Sequence, residues 1–197
     1  HPVALATPLL LWGFWFLDSD RLVAFAVVAG LACLTKEQIG LVVAAMGLWY
    51  ALREGRRRAG LAIAGAGAAV SLFAIAVVVP HFAPGGSSPF AGRYATVGGS
   101  PGGIVETTLT DPAAIARAVT EGRDGGFLID LLAPLAFLPL LAPAALLTAL
   151  PELLLDVLSS TRTQTSIHFH YAAGAIPGLV VASVLGAKRL RAHAPVL

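Results

Sequence analysis

Charged residues are scarce in this sequence. Asp, Glu, Lys and Arg make up 12% of the 197 residues, and hydrophobic residues make up 57%, whereas soluble domains carry about 25% charged residues. This shortage excludes an independent domain with a water-facing surface. The composition predicts one membrane domain over residues 1–197, with the lipid bilayer as its surroundings. A nucleic-acid partner is not expected, and the net charge of +2 points to no other partner.

Cysteine is almost absent as well. Cys33 is the single cysteine, which excludes a disulfide within the chain and a cysteine zinc site. The sequence starts at His1 without methionine, and no basic residue precedes the apolar residues 3–17, so a signal-peptide pattern is missing. We therefore expect an internal piece, the C-terminal part of a longer chain, with Cys33 as a small packing residue.

Apolar segments dominate what is present. A bilayer core of about 30 Å needs about 20 helical residues, and residues 59–79 are the one segment that clearly reaches this length. Shorter segments still cross when flanking residues extend the helix or the bilayer thins. The pattern predicts an all-α, polytopic transmembrane bundle of about seven spans. The segments are 3–17, 22–34, 39–52, 59–79, 127–141, 144–158 and 171–187.

Basic clusters predict the orientation of these spans. Short loops rich in Lys and Arg stay in the cytoplasm, so residues 53–58 and 188–191 should both lie inside. Residues 83–126 then form an extracytoplasmic loop, and an odd number of crossings must follow it. We predict that 127–158 is a hairpin that reverses between Leu141 and Ala144, because Pro143 disfavours a continuous helix. The expected location is the bacterial plasma membrane, multi-pass, with a cytoplasmic C-terminus.

The outer loop contains two helix-start signals. Ser100-Pro101 and Asp111-Pro112 each place a capping side chain directly before a proline, and proline is favoured at the first helical position. Two short helices, over about residues 101–109 and 112–121, are expected along the membrane surface.

Lys36 and Glu37 lie in a turn between two apolar segments, on the predicted outer face. A Lys36 ammonium can bind a phosphate or a carboxylate while Glu37 orients it or accepts a proton. A turn that is simply solvated remains the alternative, because charged groups at the membrane avoid lipid.

A second polar group directly precedes the last span. His168 and His170 share one side if their segment is extended, which suits phosphate or metal binding. Gln164 and Tyr171 flank them, and we predict that both belong to the same substrate-binding site. No cofactor is predicted, although the histidines leave a divalent metal open. The alternative is a polar collar at the interface, with Tyr171 as its aromatic anchor.

Acidic residues also occur inside apolar segments. Glu152 and Asp156 are four residues apart and share a helix face, and Asp130 lies in the preceding segment. Ionisable residues within spans are functional candidates by default. The alternative is that all three lie near the interface and reach water. In the loop, Arg93 can hold a phosphate with its guanidinium fork, and Tyr94 can stack on or hydrogen-bond a sugar.

The order of these motifs resembles a bacterial family of uncharacterised predicted membrane proteins. That family is similar to the GT-C membrane glycosyltransferases. The resemblance implies a polytopic helical fold with an outward-facing site that uses a polyprenyl-phosphate-linked sugar. The matching parts are residues 34–37, 90–103 with Arg93-Tyr94, 158–160, and 168–171 followed by Pro177.

The resemblance also implies site roles. Lys36, Arg93 and His168 or His170 would contact phosphate, and Tyr94 would contact the sugar. The acidic residue that GT-C enzymes carry in their first outer loop has no counterpart here, so no catalytic residue is named. A transporter or lipid flippase, in which the intramembrane acids relay protons or bind a cation, is the main alternative. A non-catalytic membrane subunit is the third.

Overall fold

A computed structural model describes residues 1–83, 91–120 and 126–193, and these residues form helices and turns without a strand. The all-α prediction is confirmed for this part of the chain. The predicted loop 83–126 is described over residues 91–120. The helices are α1 (Ala6–Asp18), α2 (Leu22–Cys33), α3 (Ile39–Ala51), α4 (Arg57–Phe82), α5 (Pro101–Thr110), α6 (Pro112–Thr120), α7 (Gly126–Leu132), α8 (Pro143–Leu146), α9 (Leu150–Leu158) and α10 (Ile176–His193).

Small residues let α3 and α4 pack backbone against backbone. A Cβ atom added at Gly67 would lie 2.5 Å from the Gly40 carbonyl oxygen, and one added at Gly47 would lie 2.7 Å from the Gly60 carbonyl oxygen. Glycines at such crossings allow the close approach that membrane helices use in place of a hydrophobic driving force. Ser71 then donates a hydrogen bond of 2.7 Å to the carbonyl of Glu37. The 34–38 turn is therefore anchored directly to α4.

The long helix α4 contains a π-helical stretch at Ala74–Val78. Pro80 follows this stretch. Proline has no N–H to bond the carbonyl of Ala76, and its ring would clash with that carbonyl in a regular α-helix. The wider π-helical turn accommodates the proline. The helix is 26 residues long with a mean hydropathy of 2.4. Within the described part of the chain it alone is long and apolar enough, by length and composition, to cross a membrane. The total of about seven spans stays a prediction.

Residues 126–158 form two legs, but the predicted position of the reversal is wrong. The chain turns first at Ala136 and Phe137, which both adopt left-handed backbone angles (φ 48° and 57°), and a helix restarts only at Pro143. Residues 141–144 are thus the end of the reversal. The break begins earlier because short 3₁₀ segments built around Pro134 and Pro139 flank the two left-handed residues, and proline ends the regular helix there.

The second leg runs antiparallel to α10. Thr148 lies against Gly178 and Glu152 lies against Gly174, so residue numbers rise along one element as they fall along the other. At the start of this leg, the Arg189 guanidinium donates a hydrogen bond of 2.8 Å to the carbonyl of Leu141. This leg therefore carries Glu152 away from the reversal, toward the opposite end of α10.

One end of the bundle, the arginine end, is defined by Arg53 and Arg56. Arg53 forms an ion pair of 2.5 Å with Asp18, and Arg56 pairs with Asp20. The buried Tyr50 donates its hydroxyl to Asp20 at 2.7 Å. This hydrogen bond, together with the charges of Arg56 and Arg53, lowers the pKa of Asp20. The α1–α2 and α3–α4 turns are thereby joined at the same end.

The two predicted loop helices are present. The Ser100 hydroxyl accepts a hydrogen bond of 3.0 Å from the Gly103 N–H at the start of α5, and Asp111 caps α6 through the Ala114 N–H at 3.1 Å. The Ser160 N–H donates to the carbonyl of Arg93 at 2.7 Å. The loop is therefore held to the chain segment that follows α9, opposite the arginine end.

Candidate functional site

A cavity of about 510 Å³ lies between the 34–38 turn, α4 and the loop. This is within the range of about 300–1,000 Å³ that is typical of ligand pockets. Its α4 wall is apolar, and its remaining walls bring polar residues from four separate segments together. The α4 wall consists of Leu72, Ile75, Ala76 and Val79, and the polar lining includes Lys36, Glu37, Gln38, Arg93, Tyr94, Ser100 and Gln164.

Positive groups converge beside this cavity around Tyr171. The Lys36 Nζ atom lies 5.4 Å from the centre of the Tyr171 ring, and the Arg93 Cζ atom lies 5.8 Å from it. The His170 ring stacks on the same tyrosine at 4.5 Å. A shared anionic ligand requires that such groups lie within about 15 Å, an upper bound set by the reach of long side chains. All three meet at one ring, so the geometry satisfies this requirement.

His170 is the histidine that belongs to this group. Its ring also stacks on His1 at 3.6 Å. Burial lowers the pKa of His170, and the positive charges of Lys36 and Arg93 lower it further. These effects favour the neutral imidazole of His170. A bound anion would oppose the effect of the two cations and raise the pKa again.

His168 lies apart from this group. Its side chain is exposed, and its backbone N–H bonds to the Ser166 hydroxyl at 3.3 Å. The described contacts place His170, and not His168, beside Tyr171. Over the described ranges, no cluster of three or more His, Cys, Asp and Glu side chains has the arrangement of a metal site.

Glu152 and Asp156, the two acids of α9, are buried. The alternative that they lie near the interface and reach water is therefore wrong for these two residues. Glu152 and Asp156 are each 1% exposed, because α9 packs against α3 and the 3₁₀ segment His170–Gly174. Asp130, in contrast, is exposed. Burial of a carboxyl group is unfavourable unless it is hydrogen-bonded. The partners of Glu152 and Asp156 therefore determine what this region can bind.

Two glutamines at the cavity hydrogen-bond these acids. Gln38 donates its Nε2 to Glu152 Oε1 at 3.2 Å, and Gln164 donates its Nε2 to Asp156 Oδ1 at 3.5 Å. The other carboxyl oxygen of Glu152, Oε2, has no hydrogen-bond partner among the residues described. Lys36 is the cation whose charge acts on Glu152. Lys36 is thus coupled electrostatically to Glu152.

Tyr94 and Gln164 also line the cavity and interact with each other. The Ser159 hydroxyl donates a short hydrogen bond to Gln164 Oε1, and Tyr94 hydrogen-bonds Gln164. Burial raises the pKa of Tyr94, while its hydrogen bond to Gln164 opposes that rise. The Tyr94 hydroxyl therefore stays protonated at neutral pH and can donate or accept a hydrogen bond.

Glu37 lines the cavity beside Lys36, and its predicted role, orienting the bound group or accepting a proton, stays a prediction. The Lys36 ammonium lies near the Tyr171 ring. Gln38 was not predicted as a site residue. Its position directly after Lys36 and Glu37 was a usable signal, as was the four-residue spacing of two acids within an apolar segment.

The sequence model of a family described as "Predicted membrane protein (DUF2079)" matches residues 1–197. The chain belongs to this family. It is therefore a membrane protein of an uncharacterised family, and the description assigns no activity. No curated protein and no solved structure matches the chain.

Proposed function

We propose that this DUF2079 protein is glycosyltransferase-like and transfers a sugar from a polyprenyl-phosphate donor at the extracytoplasmic face of the bacterial plasma membrane. The observation that carries the proposal is the meeting of Lys36 and Arg93 at one aromatic ring, beside a cavity with an apolar helix as its wall. Like charges repel, and contact with an aromatic ring offsets part of this repulsion. An anionic ligand that binds both cations would stabilise their proximity further.

The two kinds of wall fit the two parts of such a donor. The apolar side chains of α4 suit an isoprenoid chain. The Lys36 ammonium and the Arg93 guanidinium suit a phosphate, which accepts charge-assisted hydrogen bonds. The loop that carries Arg93 and Tyr94 would lie outside the membrane, in a multi-pass protein with a cytoplasmic C-terminus.

The transfer step then follows from ordinary group-transfer chemistry. An acceptor hydroxyl attacks the anomeric carbon of the sugar, the bond from that carbon to the phosphate oxygen breaks, and polyprenyl phosphate leaves with the electron pair. Lys36 and Arg93 stabilise the charge that develops on the leaving phosphate. The proton of the acceptor hydroxyl passes to a carboxylate.

A transporter or lipid flippase is the second candidate, and one observation favours it. Glu152 is buried in an apolar helix with one oxygen unpartnered among the described residues, and buried intramembrane acids serve as proton relays in pumps and transporters. The two candidates differ in their product. A transferase moves labelled sugar from the lipid to an acceptor, whereas a flippase moves the intact lipid between leaflets of a vesicle.

Binding of polyprenyl phosphate to the full-length protein in nanodiscs tests the proposal. Lys36→Ala and Arg93→Ala should each weaken binding by about tenfold or more, because hydrogen bonds to charged groups contribute about 1.5–3 kcal/mol. Lys188→Ala is the matched control, since Lys188 is the other lysine of the chain and lies in the C-terminal basic cluster. Parent-like binding by both site variants would contradict the proposal. So would an equal loss in the Lys188 variant.

A further inference from the structure

We infer that the cavity contains a separate sugar-hydroxyl subsite, formed by Gln38 and Gln164 and backed by the buried Glu152 and Asp156. This inference rests on the proposed function and deepens it, because it assigns the sugar and the phosphate of one ligand to different walls. Gln38 had not been predicted as a site residue.

Carboxamide side chains are rare in this protein. The 197 residues contain two glutamines and no asparagine. Both glutamines line the same cavity, although they are 126 positions apart in the chain. Their amides present planar donor and acceptor groups, which suit ligands with several hydroxyls.

Each glutamine is held in place by a buried acid. Gln38 bonds Glu152 at 3.2 Å and Gln164 bonds Asp156 at 3.5 Å, and both acids are 1% exposed on the same face of α9. Apolar residues would fill these two positions at lower desolvation cost, since buried polar pairs barely repay the loss of hydration. Fixing two amide side chains at a binding surface gives a functional reason for retaining the acids.

The hydrogen bonds of Gln38 and Gln164 favour a ligand that has donor groups. The Nε2 group of each glutamine already donates one hydrogen bond to a carboxyl oxygen. The carboxamide oxygens of the glutamines are acceptors, and sugar hydroxyls supply donors that suit them. The same oxygens disfavour a phosphate, which carries only acceptors and negative charge. The phosphate should therefore bind beside Lys36 and Arg93, with the sugar toward Gln38 and Gln164.

A comparison of two lipids in nanodiscs tests this arrangement. The probes are a polyprenyl monophosphate and the same lipid carrying one hexose, each titrated into the full-length protein. The parent should bind the hexose-bearing lipid at least about tenfold more tightly than the bare lipid, as one or two well-placed hydrogen bonds imply. Gln38→Met and Gln164→Met should each remove most of this preference. Their affinity for the bare lipid should be unchanged.

Leu154→Met is the control, because Leu154 lies on the same helix α9 with its side chain exposed and outside the cavity lining, and it should retain the preference. Binding of the bare lipid also reports that a variant is folded. Equal binding of the two lipids by the parent protein would contradict the proposed subsite, and this outcome does not depend on whether the glutamine variants fold. Variants that keep the full preference overturn it too. A parent that binds neither lipid shows that the proposed function itself is wrong, and the subsite falls with it.

Discussion

The ring of Tyr171 allows Lys36 and Arg93 to lie beside the same group despite their like charges. Each cation lies within about 6 Å of the ring centre, the range in which the ring quadrupole attracts it. Such contacts contribute about 0.5–1 kcal/mol at partly exposed sites, which offsets part of the repulsion. Tyr171 was predicted as a substrate-binding residue, with an interfacial anchor as the alternative. Its position beside two cations depends on the approach of the loop, which no local pattern in residues 168–171 could reveal.

His170 should make phosphate binding depend on pH. Its pKa lies below the ordinary value of 6.5 because of burial and the neighbouring Lys36 and Arg93. A bound phosphate raises that pKa, so the complex takes up a proton. Affinity for polyprenyl phosphate should therefore rise as the pH falls through the pKa of His170 in the complex. It should level off below the pKa of His170 in the free protein. The affinity increases about tenfold for each unit by which the bound phosphate raises this pKa.

The measurement compares the binding of polyprenyl phosphate to the parent and to His170→Gln between pH 8 and pH 5, on the order of one unit per step. Because a phosphate monoester itself titrates near pH 6, the ratio of the two affinities isolates the histidine. His168→Gln serves as the control and should follow the parent, since its side chain is exposed and outside the group. Identical pH profiles for the parent and His170→Gln would disprove the linkage.

Helix positions could be predicted well where residues with strong local preferences mark the ends. The apolar residues 22–34 and 39–52 correspond closely to α2 and α3, and Ser100 and Asp111 begin α5 and α6 as their capping chemistry requires. The reversal was misplaced because several prolines compete in one short apolar segment. Which proline ends the helix is determined by packing on α10, and a sequence pattern does not contain that information.

The crossing of α3 and α4 gives a prediction with a built-in control. Gly67→Ala should destabilise the protein by about 1–3 kcal/mol, the usual effect of overpacking, because the added Cβ would lie 2.5 Å from the Gly40 carbonyl oxygen. Gly65→Ala, on the same helix, meets no atom within 4 Å. It should be neutral, or stabilising by up to about 1 kcal/mol from helix propensity.

Thermal unfolding of the two full-length variants in the same detergent would measure this difference. The Gly67→Ala variant should unfold at the lower temperature. An equal effect of both alanines would show that the close backbone contact does not determine stability at this crossing.

At the scale of the whole molecule, two polar groups of the described residues lie at opposite ends of the bundle. Asp18, Asp20, Arg53 and Arg56 meet at one end, and the residues around the cavity meet at the other. Charge patterns along the chain predicted that Lys36, Arg93, His168 and His170 would share a face, and His168 lies apart from the other three. The bond between Gln38 and Glu152, 114 positions apart, could not be predicted, because a contact of that range depends on the complete fold.

The predicted orientation can be checked by cysteine labelling of intact cells with a membrane-impermeant thiol reagent. In a Cys33→Ala background, Gly92→Cys should label and Glu54→Cys should not. Both positions are exposed, and Gly92 has open space around it, so the reagent can reach either one from its own side. Comparable labelling at both positions in intact cells would refute the orientation. Permeabilised cells, in which both should react, provide the control.

In the most apolar part of α4, the helix that walls the cavity, only 11% of the residues are buried. A ligand can therefore approach along the bilayer plane, past α4. This route matters for a lipid, because withdrawing a hydrocarbon chain from the bilayer costs about 0.8 kcal/mol for each CH₂ group. With sideways entry, a polyprenyl donor would leave its tail dissolved in the membrane. The protein would then have to desolvate only a phosphate and a sugar.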